Sequence, residues 1–219
     1  TGVVATPWRT TTYTYWPTAQ VKTVADNAGD TTNYEYNALN LVSAVVDPEA
    51  RRTETVYDVA GQVLIVKRAV GTPIQQNYQT NTWSANGNLL SVANAKGSTT
   101  RYTYDGFDRA QRVYYPDCST AEIAANPASS VAGCTFTQTT TYDANSNPTA
   151  TRTRGNHVFT LTYDALNQAR TKLTPDRIET YAYDRTGLPT CAEVWAAGSG
   201  TTTCGTGTPI SRVSNAFDA

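Results

Sequence analysis

The first candidates for chemistry in this chain are its carboxylates. Asp58, Asp105, Asp143, Asp164 and Asp184 each follow a tyrosine, and evenly recurring carboxylates could act as general acids and bases or as cation ligands. Turn chemistry is the stronger reading, because a residue that returns at every turn serves the backbone by accepting the amide two residues on. Asp143-Ala-Asn145-Ser-Asn147 has the spacing that opens a calcium loop, and Asp26-Asn27-Ala-Gly29-Asp30 has similar character. Neither carries the Glu that would close such a loop. His157 is the single histidine; beside Gly155-Asn156 it reads as a strand-face residue next to a turn rather than the base of a Cys–His pair. Gly-x-Ser-x-Gly, His-Glu-x-x-His and the Gly-rich phosphate loop are all absent. Aromatics at period two, such as Tyr102 and Tyr104, could stack a sugar, but they serve better as packing. These residues predict a chain that is not an enzyme and takes no cofactor or metal.

Composition narrows the class further. The 219 residues carry a formal charge of −1 with 39% hydrophobic and 16% charged side chains, which describes a folded protein of one or two domains. No Lys/Arg run offers the counterion-releasing surface that a nucleic acid would need. The longest apolar stretch, Leu41 to Val46, is far too short to span a bilayer, so no transmembrane segment is expected. The chain opens on Thr1 and contains no Met, and it reads as a processed product or a segment of something longer. Thr occurs 39 times and Tyr 14 times, residue types that suit a pleated, half-buried surface, so the fold should be all-β. Pro and Gly are scattered, and no internal boundary divides residues 1–219.

The elements that position these residues repeat. An aromatic followed by Asp or a stand-in recurs at Tyr36, Tyr57, Tyr104, Tyr142, Tyr163, Tyr183 and Phe217, with Tyr15 and Trp83 as degenerate members. Successive steps are 21, 21, 26, 21, 38, 21, 20 and 34 residues, so the period is 21 with insertions in three steps. Each unit reads as a β-hairpin. In Thr99 to Asp105 the side chains alternate, which should bury Tyr102 and Tyr104 on one face and turn Arg101 and Thr103 outward, and the nine aromatics of the series, Tyr15 to Phe217, should likewise form the core of the repeat. The residue four after the aromatic is Asn40, Gly61, Gly87, Asp108, Asn167 or Gly187, all tolerant of a left-handed backbone. Asp before such a residue describes a type I turn closed by a bulge. A second turn falls fourteen residues after the aromatic, at Gly29, Ala50, Gly71 and Gly97, with Gly155-Asn156 nearly in phase.

At these residues the sequence resembles the bacterial RHS family, whose YD repeat runs Tyr-x-Tyr-Asp-x-x-Gly-Arg-Leu before a variable turn. The resemblance covers Tyr13 to Ala219. Gln62, Asn88 and Gln168 stand where the family often has Arg, Ser146 and Ala19 replace the turn Gly, and Trp83 replaces the Tyr. The resemblance implies a spiralling sheet that forms a shell or tube with its Tyr side chains packed in layers. It also implies a secreted or bacterial cell-surface protein in which such a shell encloses a toxin cargo. The family's Asp-Pro-x-Gly autoproteolytic cluster is not recognisable, since Asp47-Pro48 is an inter-repeat turn. The function expected is therefore a non-catalytic scaffold, shell wall or fibre segment, with an extracellular adhesin acting through the inserted loops as the alternative.

Repeat phase also bears on the four cysteines, Cys118, Cys134, Cys191 and Cys204, which show no Cys-x-x-Cys zinc spacing. The step holding the first two exceeds the period by 17 and they lie 16 apart; the step after Tyr183 exceeds it by 13, the separation of the other two. Each pair should clasp the base of an inserted loop in an oxidising compartment. The ends share the phase as well: Phe217-Asp218-Ala219 is the first half of a turn and Thr1-Gly2-Val3-Val4 the second half. That predicts self-association with further repeat units or copies of the chain, in a head-to-tail array. Non-reducing peptide mapping checks the cysteine expectation: Cys118–Cys134 and Cys191–Cys204 peptides should appear, and a Cys134–Cys191 peptide should not.

Overall fold

The computed structural model describes residues 10–118, 137–199 and 203–215. Among them are seventeen strands and no helix. The chain divides into two compact units, residues 1–100 and 101–219. The division falls within one continuous strand, β9 (Thr99–Tyr104), which is why no Gly- or Pro-rich linker announces it.

In the first unit the strands are β1 (Thr11–Tyr15), β2 (Val21–Asp26), β3 (Thr31–Tyr36), β4 (Val42–Val46), β5 (Arg52–Tyr57), β6 (Val63–Arg68), β7 (Gln76–Trp83) and β8 (Leu89–Asn94). Each pairs antiparallel with the next in sequence. The second unit continues in the same way through β10 (Ala110–Tyr114), β11 (Thr137–Tyr142), β12 (Pro148–Arg152), β13 (Val158–Tyr163), β14 (Ala169–Leu173), β15 (Arg177–Tyr183), β16 (Pro189–Ala196) and β17 (Ser211–Ser214).

The turns follow from the chemistry of two positions. At each aromatic-Asp turn the residue three after the Asp position is left-handed: Ala19, Asn40, Gly61 and Gly87 in the first unit, Asp108, Ser146, Asn167 and Gly187 in the second. The amide of the turn's first residue donates to the carbonyl four residues on, as Asp58 does to Gln62 at 3.0 Å, and the left-handed residue donates back, Gly61 to Asp58 at 3.2 Å. The register slips at the aromatic, a bulge, seen at Tyr36, Tyr57, Trp83, Tyr142, Tyr163 and Tyr183. At the opposite end of the hairpins Gly29, Ala50, Gly71, Gly97 and Asn156 are left-handed. Gly155 is not, so the second of the two turn residues there takes the strained position.

The expectation of one buried and one solvent face is corrected. Tyr36, Tyr57, Tyr104, Tyr142, Tyr163 and Tyr183 are half-buried, and so are Thr103 and Arg101, which were expected to point outward. Strands β5 and β9 are half-buried at every residue. Each unit is a single meander, so neighbours in adjacent strands cover a side chain about equally on either face. Ala44 illustrates this: opposite both Glu35 and Glu54 in register, it is buried while those two carboxylates meet the Arg52 guanidinium at 2.7 and 2.9 Å. Tyr15, expected in the core, is 58% exposed, because β1 pairs on one side only among the described residues. Phe217 lies outside the described residues.

Thr is abundant because hydroxyls meet across hairpins. Thr14 pairs with Thr23, Thr82 with Ser91 and Thr162 with Thr171, at 2.6, 2.7 and 2.7 Å. Thr103 faces Arg112 in the register, and its Oγ1 is buried without a hydrogen-bond partner.

A left-handed alanine is strained and a left-handed glycine is not. Ala50, at φ 60°, should gain roughly 0.5–1 kcal/mol on Ala50→Gly, less strain offset by a floppier unfolded chain. Gly61→Ala should lose about 1–2 kcal/mol, since its φ is 82° and the new Cβ would stand 3.2 Å from Leu41 Cδ1. Urea unfolding of the two variants checks the opposite signs.

Candidate functional site: the seam between successive hairpins

Within a hairpin the ladder runs to the bulge, but between hairpins it stops short. Strands β4 and β5 pair only from Ala44–Glu54 to Val46–Arg52, so Val42, first residue of the return strand, falls outside that ladder. Val21, Val63, Ala110 and Pro148 fall outside theirs in the same way. Each would leave a carbonyl short of a donor, at a cost of about 1–3 kcal/mol for the half-buried Val21, Val42, Val63 and Pro148. The aromatic of the next hairpin supplies the missing donor. Tyr36 Oη donates to the Val21 carbonyl at 2.9 Å, Tyr57 to Val42 at 2.8 Å, Tyr142 to Ala110 at 2.7 Å and Tyr163 to Pro148 at 3.0 Å. Trp83 keeps the function with its indole Nε1, donating to Val63 at 2.9 Å. This explains why a ring with a donor at its tip occupies the position rather than any apolar residue.

A second contact joins each turn to the next. The residue after the left-handed position reaches across the seam to the following left-handed residue: Gln20 Nε2 donates to Asn40 Oδ1 at 2.9 Å and Asn147 Nδ2 to Asn167 Oδ1 at 2.8 Å. Where the target is glycine the side chain takes the space of the missing Cβ. A Cβ at Gly87 would stand 3.1 Å from Gln62 Nε2, and one at Gly187 3.1 Å from Gln168 Nε2. Arg109 is the fullest version. Its guanidinium binds the Asp105 carboxylate at 2.6 Å, donates to Asp143 O and Ser146 Oγ at 3.1 Å each, and lies 4.5 Å over the Tyr142 ring. It thereby joins two turns that are 38 residues apart in sequence.

The repeated carboxylates belong to the turns. Oδ1 of Asp58 accepts the amides of Ala60 and Gln62 at 2.9 and 2.8 Å, and Asp105, Asp143, Asp164 and Asp184 accept their equivalents. Asn37 does the same without a charge. The two calcium-like segments are such turns: Asp143 Oδ2 takes Asn147 Nδ2 at 3.0 Å, and Asp26 Oδ1 takes the amides of Ala28 and Asp30. The Arg109 side chain holds the Asp105 carboxyl below its usual range, Asn147 does so for Asp143, and Thr186 for Asp184. His157 is exposed in its turn, where its carbonyl accepts the Thr153 amide.

Cys191 and Cys204 are disulfide-bonded. Cys118 is also in a disulfide; Cys134, its expected partner, lies outside the described residues. Residues 203–210 fold back on strands β15 and β16. Gly207 packs against Trp195, where a Cβ would stand 3.1 Å from the indole Cη2, and Ile210 donates to Val194 O. Beneath lie Thr180, Trp195 and Glu193, all buried. Trp195 Nε1 donates to Thr180 Oγ1 at 3.1 Å. Glu193 Oε1 accepts the Gly205 amide at 2.9 Å and Arg212 Nε at 2.5 Å. Sequence reading missed Glu193; its cue is a carboxylate two residues from a loop-closing cysteine, on the strand facing Arg212.

Taken together, the meander, the left-handed turns and the aromatic donors define a tandem β-hairpin repeat protein. Residues 83–117 match the family described as RHS Repeat. Over that stretch the chain carries an RHS repeat. No curated protein matches its sequence. Among solved structures it is similar to the TcdB2-TccC3 crystal structure, with a TM-score of 0.65 and 16% identity over 85% of this chain and 11% of that one. The TcdB2-TccC3-Cdc42 crystal structure gives 0.64 and 16%, over 87% and 11%. A Photorhabdus luminescens Tc holotoxin pore with a mutant TccC3 gives 0.57 and 19%, over 78% and 9%. At these identities the likeness establishes the fold, and the chain spans about a ninth of the length of the first of these.

Tyr57→Phe keeps the ring and removes the donor to Val42, and should cost about 1–2 kcal/mol, against about 3 kcal/mol or more for Tyr57→Ala; denaturant unfolding separates the two. Acid provides a further check. Carboxyls held below their unfolded value stabilise the fold above that value and lose this contribution as pH falls through their folded values. The thermal midpoint should therefore fall as pH drops below about 4, and Asp184→Asn, which keeps the acceptor oxygen, should flatten part of that fall.

Proposed function

We propose that this chain is a length of wall in a secreted shell of YD repeats, a non-catalytic scaffold whose work is to hold a continuous sheet around a cargo. The observation that carries this reading is the seam. The repeated carboxylates bind their own turn amides, and the aromatic hydroxyls bind the preceding hairpin. Groups committed to the backbone in this way are not presented to a substrate. The Tc toxin likeness supports a shell, and disulfides suit an oxidising compartment. Segment 203–210 lies tied to the sheet through Glu193, Arg212 and Trp195, a wall fitting more than a displayed recognition loop. Association would then be with the preceding and following repeats of a parent protein or with copies of the chain, through the same two contacts that join its own hairpins.

Cryo-electron microscopy of the whole parent protein tests this. Residues 10–215 should run within a shell wall, with hairpins continuing on both sides and a cavity behind them. A density in which this segment stands apart from any shell overturns the reading.

A further inference from the structure

The Cys191–Cys204 clasp contains a group that a structural disulfide does not need. The Glu193 side chain is fully buried, its Oε1 is occupied by Arg212 and the Gly205 amide, and its Oε2 has no hydrogen-bond partner. A buried carboxylate oxygen without a partner is costly and calls for a donor or a cation. Two sulfurs lie beside this carboxylate: one ligand atom each of Cys191, Glu193 and Cys204 lie within 4.8 Å of one another.

We propose that this clasp is a redox-gated zinc site, closed by a disulfide when oxidised and by Zn²⁺ held on Cys191, Glu193 and Cys204 when reduced. A dithiol supplies two electrons and two protons to the S–S bond, which breaks to give two thiols and leaves the reductant as its disulfide; a phosphine supplies the two electrons while a water molecule gives both protons and the oxygen of the phosphine oxide. Binding of Zn²⁺ then releases both thiol protons to solvent.

The geometry suits the exchange. In a tetrahedral site with Zn–S near 2.3 Å the two sulfurs stand roughly 3.8 Å apart, a modest separation for cysteines whose Cα atoms are 6.1 Å apart. Two thiolates and a carboxylate are the donor set of a borderline-soft cation. Charge also balances: the three anionic ligands are matched by the divalent cation together with Arg212, while the oxidised site holds only the Glu193–Arg212 pair. Both cysteines are half-buried, so a reductant can reach the bond, whereas the carboxylate stays dry. Under reducing conditions the metal would keep segment 203–210 on strands β15 and β16 after the covalent clasp has gone.

The test starts with the intact chain, oxidised or reduced with a phosphine and desalted under argon, then titrated with Co²⁺ as a spectroscopic stand-in. The reduced protein should give one thiolate-to-cobalt charge-transfer band per chain, reversed by Zn²⁺, and the oxidised protein none. Cys191→Ser should abolish the band, and Glu193→Gln should weaken binding about tenfold or more. X-ray absorption of the zinc-loaded wild-type protein needs no variant to fold and should show two sulfurs and a carboxylate. Absence of the band in reduced protein, its survival in Cys191→Ser, unchanged affinity in Glu193→Gln, or a shell of four sulfurs would each overturn the assignment.

Discussion

Each hairpin turn of this protein ends in one extra residue, and the strand leaving that turn starts with a carbonyl that the next ladder does not reach. Ladders between hairpins begin two residues further on, at Ala44, Ile65 or Ala150, so the strands part beside Val42, Val63 and Pro148. Water could satisfy the stranded carbonyl at an exposed edge. In a half-buried seam a donor must come from the protein. A tyrosine one hairpin on has the reach, its ring fills the opening between the strands, and its hydroxyl binds the oxygen. Bulge, opening and aromatic donor are thus one device, which within each unit couples successive hairpins at Tyr36, Tyr57, Trp83, Tyr142 and Tyr163.

That coupling accounts for how a chain with so few fully buried apolar side chains holds together. The described residues include only five, Ala44, Tyr114, Cys118, Ile178 and Trp195. Stability comes from contacts that recur along the repeat: the ring in the seam, a Gln or Asn that reaches the next turn, and hydroxyl pairs across four of the hairpins. A repeat protein built from nearest-neighbour contacts tolerates divergence at single units. Trp83 substitutes for tyrosine because indole also donates, and Ala19 and Ser146 take the left-handed position that glycine would occupy more cheaply. Arg109 shows a stronger form, spanning an insertion by binding both the turn before it and the turn after it.

The second unit adds something the first lacks. Segment 203–210 covers Trp195 and Thr180 and places a buried carboxylate under the disulfide. The carboxylate is dry and its partner Arg212 reaches it from the surface, which matters because a buried charge without a partner would be costly. The insertion is therefore integrated into the sheet by polar contacts, unlike the exposed apolar tips of the ordinary turns, such as Val59 and Phe107.

The hairpin, its turn and its period are properties of the local chain, and the sequence by itself determined them. A residue that tolerates a left-handed backbone must stand where the turn closes, so its spacing at Gly61, Gly87 and Gly187 counts the repeats directly. The insertion lengths around Cys191 and Cys204 belong to the same local arithmetic. Tertiary structure decided the rest. Alternation within one strand shows which residues share a face but not what covers that face, and a single meander covers both sides in part, so tyrosines read as core are half-buried. Their hydroxyl acceptors lie in another hairpin, at a carbonyl freed by a bulge, and no pattern of residue types marks a carbonyl. Glu193 stayed illegible for the same reason: its partners are the Gly205 amide and Arg212, brought to it only when the insertion folds back.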